Sequence, residues 1–211
     1  MPLVSILMPA YNAAATLPAA LRSVSAQTFR EWELIAVNDG SGDASLEILD
    51  RAAQKDRRIR VISGAHVGHV EALRSATALA SAPLLARMDA DDVMHPRRLL
   101  LQVTRLDSPP HVDVLATRVR SIGHTGEGMR RYVEWQNGLL GHEEMVANFF
   151  VESPIAHPTV LMRRDLLSGP AATTTRAGRR TSTSGTGCAS AAPASRSSPA
   201  RCCPGAIPTD A

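Results

Sequence analysis

With 211 residues, 44% of them apolar and 20% charged, the chain can bury one sizeable core. Its formal charge of +3 does not point to nucleic acid: Arg176, Arg179, Arg180, Arg196 and Arg201 lie from Ser168 onward with only Asp210 against them, which leaves 18 basic and 19 acidic residues before that point. There is no apolar run long enough to span a bilayer and no signal-peptide start, and the spacing of Cys188, Cys202 and Cys203 fits neither a metal site nor a disulfide framework, so a cytoplasmic protein is expected.

Leu3-Val4-Ser5-Ile6-Leu7-Met8 is a near-continuous apolar run ended by Pro9, which predicts a strand buried on both faces. After Pro9-Ala10-Tyr11-Asn12, Thr16 is expected to cap a helix that tolerates Pro18 in its first turn and buries Leu17, Leu21 and Val24. A second strand over residues 32–37 runs into Asn38-Asp39-Gly40-Ser41-Gly42-Asp43, where the glycines permit a tight turn and Asp43 offers an N-cap. Leu46, Leu49 and Ala53 give the next helix its apolar stripe. Arg60-Val61-Ile62 reads as a third, shorter strand, and residues 67–80 as a helix packed through Val70, Leu73 and Thr77.

The fourth strand, Leu84-Leu85-Ala86-Arg87-Met88, breaks into Asp89-Ala90-Asp91-Asp92 and so delivers carboxylates to a sheet edge. Hard oxygen ligands suit Mg²⁺ or Mn²⁺, which makes Asp89-Ala90-Asp91 a candidate metal-diphosphate clamp. The alternative is a solvated acidic turn before the helix that Pro96 opens. Strict alternation of strand and helix implies an open parallel sheet with helices on both faces and a ligand beyond the carboxyl ends of its strands. Asp39 and Asp89 both fall at such ends and should converge on one crevice.

Beyond Pro96, a helix is predicted through Leu100, Val103 and Leu106, then a strand over residues 112–119. Residues 123–141 carry Tyr132, Trp135 and Asn137 on weak periodicity and read as a mobile loop over the site. A short helix over 143–150 and a strand from His157 to Arg164 complete the part with core-forming composition, residues 1–167. From 168 to 211, Ile207 is the one aliphatic residue larger than Ala and aromatics are absent, so this low-complexity tail is expected to be disordered.

Four of these segments, Val4 through Asn12, Ala36 through Asp43, Arg87 through Asp92, and His157-Pro158-Thr159-Val160 followed by Arg163-Arg164, resemble in order and spacing the amino-terminal, nucleotide-sugar half of family 2 glycosyltransferases. The resemblance implies a GT-A-like α/β fold, a Rossmann-type, mostly parallel sheet flanked by helices. It implies inverting transfer from a nucleotide-diphosphate sugar, a UDP-sugar or a dTDP-sugar, with Mg²⁺ or Mn²⁺, to a glycan, lipid or protein acceptor in cell wall or polysaccharide synthesis, and it leaves peripheral contact with the inner membrane face open. Pro9, Tyr11 and Asn12 would line the base pocket, Asp39 would hydrogen-bond the base, and Arg74 would touch the donor. Asp89 would bind the ribose and share the metal with Asp91, supported by Asp92. Where the family shows Asn-x-Gly, this chain has His66-Val67-Gly68.

The family's catalytic carboxylates, a Glu-Asp pair before an aromatic-Asp-Leu-Trp run, have no counterpart after Arg164. Read from the third base of each codon, the stretch from Gly178 to Gly185 permits Pro-Glu followed by Asp-Phe-Asp-Leu-Trp, so the tail reads as a frameshifted continuation; a natural low-complexity tail is the alternative. Without its base, the chain is expected to bind donor and transfer sugar poorly. A nonenzymatic sugar-nucleotide-binding module is the competing reading. A nucleotidyltransferase or a dehydrogenase would require a Gly-rich loop where Pro9-Ala10-Tyr11-Asn12 stands.

Overall fold

The computed structural model describes residues 1–168 except Pro110 and His124; the expectations of disorder and a shifted frame from Gly169 onward lie outside the described residues. In chain order the elements are β1 (Val4–Ala10), α1 (Leu17–Ser25), β2 (Trp32–Asp39), α2 (Ser45–Lys55), β3 (Ile59–Gly64), α3 (His69–Leu79) and β4 (Leu84–Arg87). They continue with α4 (Arg98–Leu106), β5 (Val114–Leu115), α5 (Glu127–Gly138), α6 (His142–Asn148), a 3-10 turn (His157–Thr159) and β6 (Leu161–Arg163). One sheet holds all six strands in the order β3-β2-β1-β4-β6-β5. Strands β1 to β4 are mutually parallel, and β6 runs antiparallel to both β4 and β5.

The apolar runs of β1, β2 and β4 follow from burial on two faces. Val4, Ile6, Met8, Leu34, Ala36, Leu84 and Ala86 meet Leu17, Leu21 and Val24 of α1, Leu49 of α2 and Leu99 of α4 on one side. Leu7, Ile35, Val37 and Leu85 meet Ala72, Ala76 and Ala80 on the other. Helix α3 therefore packs through small residues, which lets it lie close on β1 and β2; Val70, expected in the core, is 49% exposed instead. Of the buried polar residues in these strands, Ser5 and Glu33 are matched to each other: Glu33 accepts from Ser5 Oγ at 2.6 Å and from Ser81 N and Oγ at 2.8 and 2.7 Å. Burial pushes the Glu33 carboxyl up, but these bonds and Arg60 outweigh it and hold the group below the usual range.

Several local expectations are corrected. Thr16 does not cap α1; its hydroxyl turns back to Ala13 O at 3.3 Å, and a turn leads straight into the helix. Asp43 acts one residue earlier than an N-cap of α2, accepting from Ser45 N at 2.9 Å ahead of Ala44. Helix α4 faces the core with Arg98, Leu99, Gln102, Val103 and Leu106, while Leu100 is 39% exposed, because two polar residues occupy the face that an apolar stripe would claim. The strand expected over 112–119 shrinks to β5; beyond it Thr117 N donates to Thr159 Oγ1 and Val119 N to Asn137 Oδ1 instead of to a ladder. Pro158 turns the start of the last strand into a 3-10 turn.

Within the stretch read as a loop, Glu127–Gly138 form α5. The sequence hides this because the buried residue of α5 is Gln136, so the helix is held by polar groups more than by an apolar stripe. Gln136 Nε2 and Tyr132 Oη donate to Ser153 O at 3.0 and 3.2 Å, and Asn137 brackets Val119 by donating to its O at 2.7 Å while accepting from its N at 2.9 Å.

Candidate functional site

Strand order reverses at β1: the chain moves outward to β2 and β3, then returns to β4 on the far side. Ligands of such sheets sit beyond the carboxyl ends at that reversal. Here β1 and β4 are in register from Val4–Leu84 to Leu7–Arg87, and the bond from Met88 N to Leu7 O at 3.1 Å continues the pairing just past it. Strand β1 runs on through Pro9 beside Val37 of β2 while its register with β4 ends at Leu7, so Pro9, buried and with no N–H to offer, has no β4 partner, and the candidate crevice lies beyond this end of the ladder.

Two loops form one wall of this crevice by interlocking. Asn12, at φ +48° in the left-handed region, donates its N–H to Ser41 Oγ at 3.0 Å and accepts from Gly42 N on Oδ1 at 2.9 Å. Ala13 N donates to Ser45 Oγ and Ala14 N to Asp43 Oδ2, at 2.8 and 2.9 Å. The Asn12 side chain is thus a latch between the loops after β1 and β2. Tyr11 beside it is 51% exposed and stacks on His66, with ring centroids 4.2 Å apart.

Asp39 ends β2 almost fully buried, and its carboxylate accepts from Val67 N at 2.7 Å and Gly68 N at 2.9 Å, the backbone that leads into α3. His66 Nδ1 lies 2.9 Å from Asp39 Oδ2. His69, which follows Gly68 and opens α3, reaches the opposite wall, where its Nε2 is 2.7 Å from Arg87 Nη2. Arg87 in turn donates to Asp89 Oδ1 at 3.1 Å and Oδ2 at 3.4 Å. The start of α3 therefore ties Asp39 to Asp89, and the two carboxylates stand on one edge of the sheet.

Arg87 is the hub of this wall, and sequence reading passed over it. Its third partner is His157 Nδ1 at 3.0 Å, and His157 Nε2 is 3.1 Å from Ser153 Oγ. Since a guanidinium only donates, the imidazole nitrogens facing it must be unprotonated, which assigns the Nε2–H tautomer to His157, donating to Ser153. Burial first, and then the Arg87 charge, hold His69 and His157 below the usual histidine range, consistent with two neutral acceptors. Beneath the acidic turn, Arg98 is buried and donates to Arg87 O at 3.1 Å, Val160 O at 3.4 Å and Gln102 Oε1 at 3.0 Å. Gln102 continues the stitch to Leu115 O and Thr159 O.

Asp89, Asp91 and Asp92 each offer a carboxylate oxygen within 4.8 Å of the others. Burial, then Asp91 and Asp89, push the Asp92 carboxyl up to about 6, against the opposing pull of Arg98 and Arg87. Three hard oxygen donors carrying negative charge that the neighbouring arginines do not fully offset fit a divalent ion such as Mg²⁺ or Mn²⁺. Arg74, by contrast, is exposed on α3 and paired with Glu71 at 2.7 Å.

The Asp92 shift makes a prediction for the metal-free protein. A carboxyl raised from 3.8 unfolded to about 6 folded favours folding fully below pH 4, and that contribution is lost as pH rises through 6. Asp92→Asn should therefore melt higher than wild type at pH 7 in EDTA, by roughly 3–6 °C for about 1–2 kcal/mol after solvent screening, and level with it near pH 4. Melting curves by circular dichroism that stay parallel at both pH values would remove the proposed repulsion.

The sheet order, the switch-point crevice and the acidic turn beside it define a GT-A-like α/β protein. S. aureus TarS 1–349 in complex with UDP shares the fold with a TM-score of 0.62 at 21% identity, over 80% of this chain and 48% of that one. The mannosyltransferase PcManGT from Pyrobaculum calidifontis, in complex with GDP-Man and Mn²⁺, does so with a TM-score of 0.59 at 19% identity, over 79% and 46% of the two chains. A family model described as glycosyl transferase family 2 matches residues 5–169, and the chain belongs to that family. An uncharacterized glycosyltransferase of Haemophilus influenzae is 31% identical over 171 residues, 78% of this chain and 53% of its own length, so the chain spans about half of that relative. Among the described residues, no helix is long and apolar enough to cross a membrane.

Proposed function

We propose that this chain is the donor-binding part of a glycosyltransferase that takes a sugar from a nucleoside diphosphate, a UDP-sugar, and passes it with inversion to an acceptor hydroxyl. The observation that supports the reading is the tie from Asp39 through Gly68, His69 and Arg87 to Asp89, two carboxylates that would serve the base and the ribose side of one donor. Tyr11 offers a ring face to the nucleobase, with Pro9 and the Asn12 latch shaping the wall behind it. Val67 occupies one lone pair of Asp39 Oδ1, and Gly68 and His66 take Oδ2, so the remaining lone pair of Oδ1 would accept from the base. Asp89, already balanced by Arg87, is free to accept from a ribose hydroxyl. Asp91 is exposed with no ion pair reaching it among the described residues, and Asp92 is recessed beside it, so Asp91, with Asp89 and Asp92 in support, would hold the cation. A divalent ion there offsets the negative charge that develops on the departing diphosphate. Arg74 would join the donor contacts by leaving Glu71.

The test is calorimetry of UDP with and without Mn²⁺, paired with a sugar-transfer assay on the 211-residue chain. Binding should be much weaker without Mn²⁺, and transfer should fall about 10²- to 10⁴-fold short of an ordinary enzyme, since no Glu-Asp pair before an aromatic-Asp-Leu-Trp run follows Arg164. Absence of UDP binding under both conditions sinks the reading; ordinary transfer rates sink its catalytic half.

A further inference from the structure

The structure gives the His66 ring two contacts at once: the stack on Tyr11, at 4.2 Å and 28° between planes, and Nδ1 within 2.9 Å of Asp39 Oδ2 and 3.1 Å of Asp39 O. With both Asp39 oxygens as neighbours, Nδ1 carries the proton and donates. The residue is also fixed from behind. Its backbone N lies so close to Gly40 that a Cβ there would come within 2.6 Å, and the amides that follow it, Val67 and Gly68, are anchored in the Asp39 carboxylate. Although the His66 side chain is 54% exposed, its ring is tied at Nδ1 to Asp39 and its backbone is packed against Gly40, so it can serve as a platform. Tyr11, by contrast, sits on an exposed loop, covered on one face by His66 and half open to solvent.

We propose that the His66 ring sets the orientation of Tyr11 before ligand arrives, so that the open face of Tyr11 is ready to stack on a nucleobase. His66 is then a positioning residue for base recognition, acting through Tyr11, and the inference rests on the reading of the crevice as a nucleotide-sugar site. The physical basis is preorganisation: an aromatic side chain ordered in advance does not lose its rotamer freedom on binding, and offset-stacked rings hold each other beyond their buried area.

Two substitutions separate the ring from its polar contact. His66→Phe keeps a stacking ring and drops the bond to Asp39; His66→Asn keeps a polar group for Asp39 and drops the ring. Titrations use three probes: uridine, UDP with Mn²⁺, and Mn²⁺ alone. His66→Asn should weaken uridine and UDP by the same factor, about 3- to 10-fold, and leave Mn²⁺ alone unchanged, while His66→Phe stays within about twofold of wild type. In the ligand-free protein, the His66 Hε1 proton should show an upfield ring-current shift that Tyr11→Ala removes. The inference is overturned if His66→Asn binds uridine as wild type does, if UDP weakens and uridine does not, or if His66→Phe falls as far as His66→Asn. Wild type binding neither uridine nor UDP would instead defeat the nucleotide-site reading, and the role of His66 with it.

Discussion

Asp91→Ala is expected to lower UDP affinity in Mn²⁺ by about 100-fold or more and to leave the weak affinity in EDTA unchanged. Changes to groups that merely support a metal ligand already cost about 10- to 100-fold in metal affinity, and loss of the ligand itself should cost no less. The choice of Asp91 over its neighbours follows from charge. Asp89 has both oxygens within 3.4 Å of the Arg87 guanidinium, and Asp92 is recessed and pushed up to about 6, so each is partly neutralised before an ion arrives. Asp91 is exposed, and among the described residues no ion pair reaches it. The same substitution should have the opposite sign on the metal-free fold. Asp91 is the foremost of the charges that raise Asp92, so its removal should let Asp92 ionise more easily and raise the melting point at pH 7. Calorimetry in Mn²⁺ and in EDTA, with melting curves on the same samples, reads both signs. Mn²⁺-dependent binding that survives Asp91→Ala would move the ion away from the acidic turn.

The parts of the site that sequence made legible are those fixed by topology. Strands β1, β2 and β4 are buried on two faces and therefore read as apolar runs, and the residues that end those runs, Tyr11, Asp39 and Asp89, necessarily reach the same edge once the connections are parallel. Polar residues that work from inside were illegible. Arg98 and Gln102 look like a solvated helix face, and only their spacing with Leu99, Val103 and Leu106 could have betrayed that they share the buried one. Arg87 carried a weak signal, a charge inside the strand run between Ala86 and Met88 that had to find partners, but those partners, His69 and His157, lie 18 and 70 positions away, beyond any local pattern. The part Asn12 plays as a latch was not legible, since it depends on Ser41 and Gly42 meeting it across two loops.

Gly40→Ala should be the most damaging single-methyl change in the crevice wall. Gly40 has φ +67°, where an L side chain costs about 1–2 kcal/mol, and the added Cβ would stand 2.6 Å from His66 N and 3.1 Å from His66 Cα. Those are backbone atoms, held in place because Val67 and Gly68 next to them bind Asp39, so the clash cannot be relieved by turning a side chain. Together the two effects come to about 3 kcal/mol, or roughly 6–12 °C in melting temperature for a domain of this size. Two further glycines divide the effect into its parts. Gly68, at φ +92°, has open space around its Cβ position, so Gly68→Ala should show the backbone cost alone; Gly42 has neither a positive φ nor a neighbour within 4 Å, so Gly42→Ala should stay within about 0.5 kcal/mol of wild type. The loss should also reach the ligand, because pushing residues 66–68 off the end of β2 withdraws two amides from Asp39 and the platform from Tyr11. UDP affinity in Mn²⁺ should therefore fall for Gly40→Ala even at temperatures where the variant remains folded. A Gly40→Ala protein that melts within about 2 °C of wild type would mean that the His66 segment does not rest against the end of β2, and the link from Asp39 to Asp89 through α3 would lose its first contact.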